Sequence, residues 1–192
     1  MKILLNYVII LSTLLVGNLV IASETRVIIN LSDQTATLVQ QGRITLVSPI
    51  ASGKPGWSTP TGNFRIFDKD IDHRSRSFGL VVDAYGRVLN ANATPGSFRP
   101  RGGQYLPAPM PYFMEFSPAV GMHAGYLPGY PASHGCVRMP RDLAALFFER
   151  VRIGTPVAVV GSTRNLTRVR KALPISPTAE RAASAKELAG NR

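Results

Sequence analysis

The sequence predicts a mainly β domain with few helices. Three observations carry this: short apolar runs alternate with period two, Gly (17) and Pro (15) punctuate the chain, and one stretch alone has convincing helical spacing. Period-two alternation puts successive side chains on opposite faces of a sheet, and frequent turn formers keep strands short. Apolar content is 45% and charged content 17% over 192 residues, which suits one domain with a real core plus appendages.

The elements follow in order. Residues 25–31 are β-rich, and Ser32-Asp33-Gln34 reads as a turn. Residues 35–40 alternate, Gln41-Gly42 turns, and residues 43–50 alternate again, giving a meander of short antiparallel strands. Residues 51–62 are dense in Gly, Pro, Ser and Thr and read as a loop; residues 63–67 form the next strand. Residues 78–84 and 87–90 flank Tyr85-Gly86 as a hairpin. Residues 91–111, rich in Pro, Gly and Ala, read as one long loop, a length that in a compact domain signals function or mobility. Both loops are expected to border a cleft. Residues 112–116 and 120–123 are strands leading into a glycine-rich segment. Pro140 suits the first turn of the helix, where Leu143, Leu146, Phe147 and Val151 recur at i, i+3, i+4 and i+8 before Gly154 ends it. Residues 156–160 close the domain as a strand.

Both ends differ from this middle. Lys2 precedes an apolar run that continues to Ala22, which reads as a signal peptide or an N-terminal anchor over residues 1–22. Either one makes the rest of the chain exported, to the periplasm or cell envelope. Residues 23–160 form the catalytic unit, and residues 161–192 a basic, flexible tail with little apolar periodicity. The net charge is +11, and once residues 1–22 are set aside the tail holds half of the basic excess. Such charge favours polyanionic partners or solubility alone. Export, together with the lack of any RNA-binding aromatic signature or phosphate-binding glycine loop, argues against nucleic acid. Membrane contact is expected only through an uncleaved N-terminus.

Chemistry concentrates in Ser133-His134-Gly135-Cys136-Val137-Arg138, which holds the only cysteine. One cysteine forms no internal disulfide, and an idle free thiol is a liability in an oxidising compartment. The bland alternative is a small buried hydrophobe. Against it stand His134 two residues before and Gly135 between, a turn whose successive N–H groups can converge on one spot as an oxyanion hole. Cys136 is therefore the candidate nucleophile, ionised by a neighbouring imidazole. His123, thirteen residues upstream, is the better candidate base and proton donor; His134 competes, and spacing does not decide between them. Arg138 is either structural or orients a substrate carboxylate. His73 lies in a charged run that reads as a solvated loop and receives no role. A zinc site from His123, His134 and Cys136 lacks a second cysteine, so no metal is expected.

The segments Gly121-Met-His-Ala-Gly125 and Pro131-Ala-Ser-His-Gly-Cys-Val-Arg-Met139, with Ile29-Asn-Leu-Ser-Asp-Gln34 and Thr59-Pro-Thr-Gly62 upstream, resemble the L,D-transpeptidase catalytic domain over about residues 25–160. The resemblance implies a β-sandwich-like fold and acyl transfer on peptidoglycan tetrapeptide stems, without cofactor or metal. It implies that Cys136 attacks the carbonyl before the terminal D-Ala, releasing D-Ala as a thioester forms. An amine acceptor, on a neighbouring stem or a lipoprotein, then resolves the thioester. It further implies that His123 is the base, that His134 shapes the pocket, that N–H groups around Gly135 and Cys136 hold the oxyanion, and that Ser133 and Arg138 support the site. Water as acceptor would give an L,D-carboxypeptidase or a cross-link hydrolase instead. A non-catalytic wall-binding module is the alternative of another class. One departure is visible: the family has Gly then Ser or Thr after the upstream histidine, where this chain has Ala124 and Gly125.

Overall fold

The structure, a computed structural model, describes residues 25–163. The segment expected as leader or anchor, residues 1–22, and residues 164–192 of the expected tail lie outside the described residues. The meander forms as its alternation dictates. Strands β1 (Arg26–Asn30), β2 (Thr35–Gln40) and β3 (Arg43–Pro49) pair antiparallel, with Val27 opposite Leu38 and Thr37 opposite Val47. Gln41 and Gly42 both adopt positive φ (53° and 73°), the geometry of a two-residue hairpin turn whose twist matches its strands. The closing strand β12 (Pro156–Val160) runs parallel to β1, and β4 (Gly62–Arg65) pairs antiparallel with β12. The order of this five-stranded sheet is β3-β2-β1-β12-β4. Its alternate residues Val27, Ile29, Ala36, Leu38, Val157 and Val159 are buried on one face.

A second sheet, in the order β11-β10-β9-β5, is made of β5 (Asp68–Asp70), β9 (Phe113–Ser117), β10 (Val120–Ala124) and β11 (Val137–Met139). Its inner face packs Met114, Phe116, Met122, Ala124, Val137 and Met139 into the same core. The helix α1 (Arg141–Arg150) adds Ala144 and Phe147 to it. The third sheet, in the order β7-β6-β8, comprises β6 (Arg74–Val82), β7 (Val88–Ala93) and β8 (Gln104–Pro109).

Three sequence expectations change here. The long loop at 91–111 is in part sheet: β7 runs on to Ala93, and β8 pairs with β6. Pro107 and Pro109 argued against a strand, but β8 is an edge, where a missing N–H can face away from the ladder. The charged run around His73 is only in part a loop, with a turn at residues 71–73 between two strands. It supplies β5 and the start of β6, because β9 offers β5 a backbone partner that composition does not reveal (Asp68 opposite Glu115, Asp70 opposite Phe113). Finally, α1 ends at Arg150, with Val151 extended, rather than at Gly154.

Candidate active site

Alternation in the second sheet builds the site. While one face enters the core, the other carries Asp68 and Asp70 on β5, Phe113 and Glu115 on β9, His123 on β10 and Arg138 on β11 into one cleft of about 900 Å³. β10 and β11 are parallel, with His123 opposite Arg138. Cys136 stands just before β11 and opens into the same cleft. The two residues that sequence reasoning paired, Cys136 and His123, thus share one surface because adjacent parallel strands present the same face.

The turn before β11 is locked from within. Gly135 adopts φ +117°, a conformation that L side chains rarely reach. The Ser133 hydroxyl accepts from the Gly135 N–H (3.1 Å) and donates to the Cys136 carbonyl (2.5 Å). Thr59 donates to the Gly135 carbonyl (2.7 Å) while accepting from the Gly53 N–H (2.9 Å). The loop at 51–59 is further stitched to the motif by Lys54 N–H to Ser133 carbonyl (3.0 Å) and by reciprocal bonds between Ala51 and Arg138. In the empty cleft the Gly135 N–H points at the Ser133 hydroxyl, and this bond holds the turn in shape.

His123 is 5% exposed, and its Nδ1 lies 2.8 Å from the Ala124 carbonyl. A carbonyl only accepts, so Nδ1 carries the hydrogen and Nε2 keeps a lone pair. Burial, opposed by that hydrogen bond and helped by the charges of Arg138 and His73, lowers its pKa to about 4. Burial pushes the Cys136 thiol up, against the Gly121 N–H and Arg138, which pull it down; Glu115 adds to the rise. The resting pair is therefore neutral imidazole and neutral thiol. Desolvation thus opposes the thiolate expected from the sequence and outweighs the pull of the nearby positive charge.

His134 lies in the wall of the cleft. Its ring stacks on Phe78 (centroids 4.2 Å apart) and meets Trp57 edge-on (5.1 Å). Its Nε2 accepts from Lys54 Nζ at 3.0 Å, which fixes that nitrogen as the unprotonated one. Burial, then the charges of Lys54 and Arg138, lower its pKa. His73, given no role from sequence, lines the cleft too, stacked on Phe113 (4.2 Å) and 3.1 Å from Asp70.

A family model described as YkuD, L,D-transpeptidase catalytic domain, matches residues 24–159. The chain belongs to this family. L,D-transpeptidase 1 of Mycobacterium tuberculosis is 29% identical over 136 residues, covering 69% of this chain and 49% of that protein. The chain thus spans about half the length of the curated relatives it matches. The NMR structure of the catalytic domain of the Enterococcus faecium L,D-transpeptidase superposes with a TM-score of 0.52 at 26% identity, covering 73% of this chain and 99% of that one. An L,D-transpeptidase structure in complex with imipenem gives a TM-score of 0.54 at 24% identity, covering 72% of this chain and 59% of that one.

Within this L,D-transpeptidase domain, the departure at Ala124-Gly125 has a physical account. Ala124 supplies the carbonyl that orients His123, so the histidine keeps its partner. Gly125 lies under the Arg138 stem, where a Cβ would stand 3.1 Å from Cγ. The bare glycine therefore leaves room for the Arg138 stem. Thr59, Lys54 and Glu115 were missed by sequence reasoning. Thr59 and Lys54 reach the motif across 76 and 80 residues, a separation that no local pattern reports.

Proposed function

We propose that this chain is an exported cysteine L,D-transpeptidase acting on peptidoglycan tetrapeptide stems in the cell envelope. The observation that carries it is the pairing in one cleft of Cys136 with a histidine whose Nδ1 hydrogen is tied to Ala124, leaving Nε2 as proton acceptor. In this reading His123 takes the thiol proton as sulfur bonds to the carbonyl before the terminal D-Ala. The N–H groups of Cys136 and Gly135 stabilise the oxyanion, that of Gly135 turning to it from the Ser133 hydroxyl. The imidazolium then protonates the departing D-Ala amine as the C–N bond breaks, leaving a thioester. An amine from a neighbouring stem or a lipoprotein attacks next and gives its proton to His123; the C–S bond breaks and the thiol is restored. Arg138 and Lys54 supply cations for the stem carboxylates. The reading of residues 23–160 as the catalytic unit behind an export segment supports the envelope location.

The test is incubation of the protein with tetrapeptide muropeptides, followed by mass. Cross-linked dimers and free D-Ala are expected, and neither with Cys136→Ala. Tripeptides without dimers would replace transfer by hydrolysis, and unchanged substrate would overturn both readings. Imipenem, bound by the related structure above, should leave a covalent adduct on Cys136.

A further inference from the structure

Glu115 does more than line the cleft. It lies opposite Gly121 across the β9–β10 pair, and Gly121 in turn faces Cys136 through its backbone N–H. Gly121 must be bare, because a Cβ there would meet the Phe113 ring at 2.5 Å and the Met114 carbonyl at 2.7 Å. Glu115 and Cys136 thus both neighbour the Gly121 backbone. Glu115 Oε1 also accepts from the Ala119 N–H at 2.7 Å. Ala119 sits at φ +59°, unusual for a residue with a side chain, in the turn between the two strands. That conformation aims its carbonyl at Cys136, whose Sγ–H donates to it at 3.7 Å.

We propose that Glu115 is a positioning residue that parks the resting nucleophile: it fixes the turn whose Ala119 carbonyl holds the Cys136 hydrogen, and its charge guards the sulfur while the cleft is empty. This rests on Cys136 being the nucleophile. The direction of the Cys136 titration agrees, since Glu115 raises it beyond the larger effect of burial and against Gly121 and Arg138. The other titratable groups around the sulfur are His123 on β10 and His134 in the preceding turn. Across the cleft stand Asp68 and Asp70 on β5, His73 after it and Arg76 on β6. Thiolate, not thiol, is what oxidants and alkylators attack, so the device suits a lone cysteine outside the cytosol.

Cys136 is the only thiol, so iodoacetamide reads it alone, with no wall substrate present. Glu115→Gln keeps an oxygen for the Ala119 N–H and removes the charge; Glu115→Ala removes both. With Glu115→Gln, alkylation at pH 7 should rise roughly three- to tenfold and its pH profile should move to lower pH. Loss of the thiol to hydrogen peroxide should quicken likewise. Imipenem acylation should fall in Glu115→Ala and be retained in Glu115→Gln. A Gln profile superimposable on the parent overturns the guarding charge, and equal acylation by both variants overturns positioning through Ala119. If the Ala variant fails to fold, the Gln profile alone decides. The transfer assay can fail while this one succeeds, or the reverse, so the two readings are separately exposed.

Discussion

The ring of His123 is almost wholly closed off from water, and the hydrogen on Nδ1 is committed to Ala124. Its lowered pKa, about 4, keeps Nε2 ready to accept a proton well below neutrality. The acid limb of imipenem acylation should accordingly lie near pH 4 to 5, not near the ordinary histidine value of about 6.5. His123→Ala should slow acylation by roughly 10²–10⁴-fold, the usual worth of a positioned base. A loss under tenfold would pass the role to His134, although its Nε2 already faces the Lys54 ammonium. The motif around Cys136 was readable because its residues are neighbours in the chain. The thiol's protonation was not, since burial and Glu115 belong to the folded sheet rather than to the motif.

Among the elements, α1 shows how a charged strand earns its place. Lys69 on β5 donates from Nζ to the carbonyls of Phe148 and Val151, both at 2.6 Å, and lies over the Phe148 ring at 4.1 Å. It thereby satisfies two of the carbonyls that the end of a helix leaves without partners, at its negative pole. Lys69→Ala should cost about 1–2 kcal/mol in urea unfolding, from two charge-assisted bonds partly replaced by water. An unchanged midpoint would mean that solvent serves those carbonyls equally well. The same strand explains what was legible. β1, β2, β3 and β12 announce themselves because each must hide alternate apolar residues. β5 hides almost nothing and β8 carries two prolines, so both exist through their backbone partners, which the sequence does not display. The helix was legible from its spacing, but its end was not: Val151, read as its last apolar position, is the extended residue that leaves it.

For the molecule as a whole, the buried titrating groups define a window of stability. The folded pKa of His123 lies below its unfolded value of about 6.5, so the unfolded chain takes up a proton first as pH falls. Stability is then full above about pH 6.5 and erodes toward pH 4, by about 3 kcal/mol from this residue. His134 shifts in the same direction. Cys136 acts at the other end: its folded pKa is raised, so the unfolded thiol ionises first and stability declines on the alkaline side. Urea unfolding at pH 4.5 and 7 should show the acid loss, and His123→Gln should remove most of it. An equal slope in that variant would assign the loss elsewhere. The five-stranded sheet has a different consequence, one of timing. Val27 pairs with Val157, so β1 gains its second neighbour only when β12 has been made. A chain delivered from its N-terminus leaves the ribosome with this sheet unclosed until the more than one hundred residues between β1 and β12 have been made. Such long-range pairing is slow to form. Under the proposed export, in which the chain crosses a secretion channel before it folds, late closure is an advantage of this strand order.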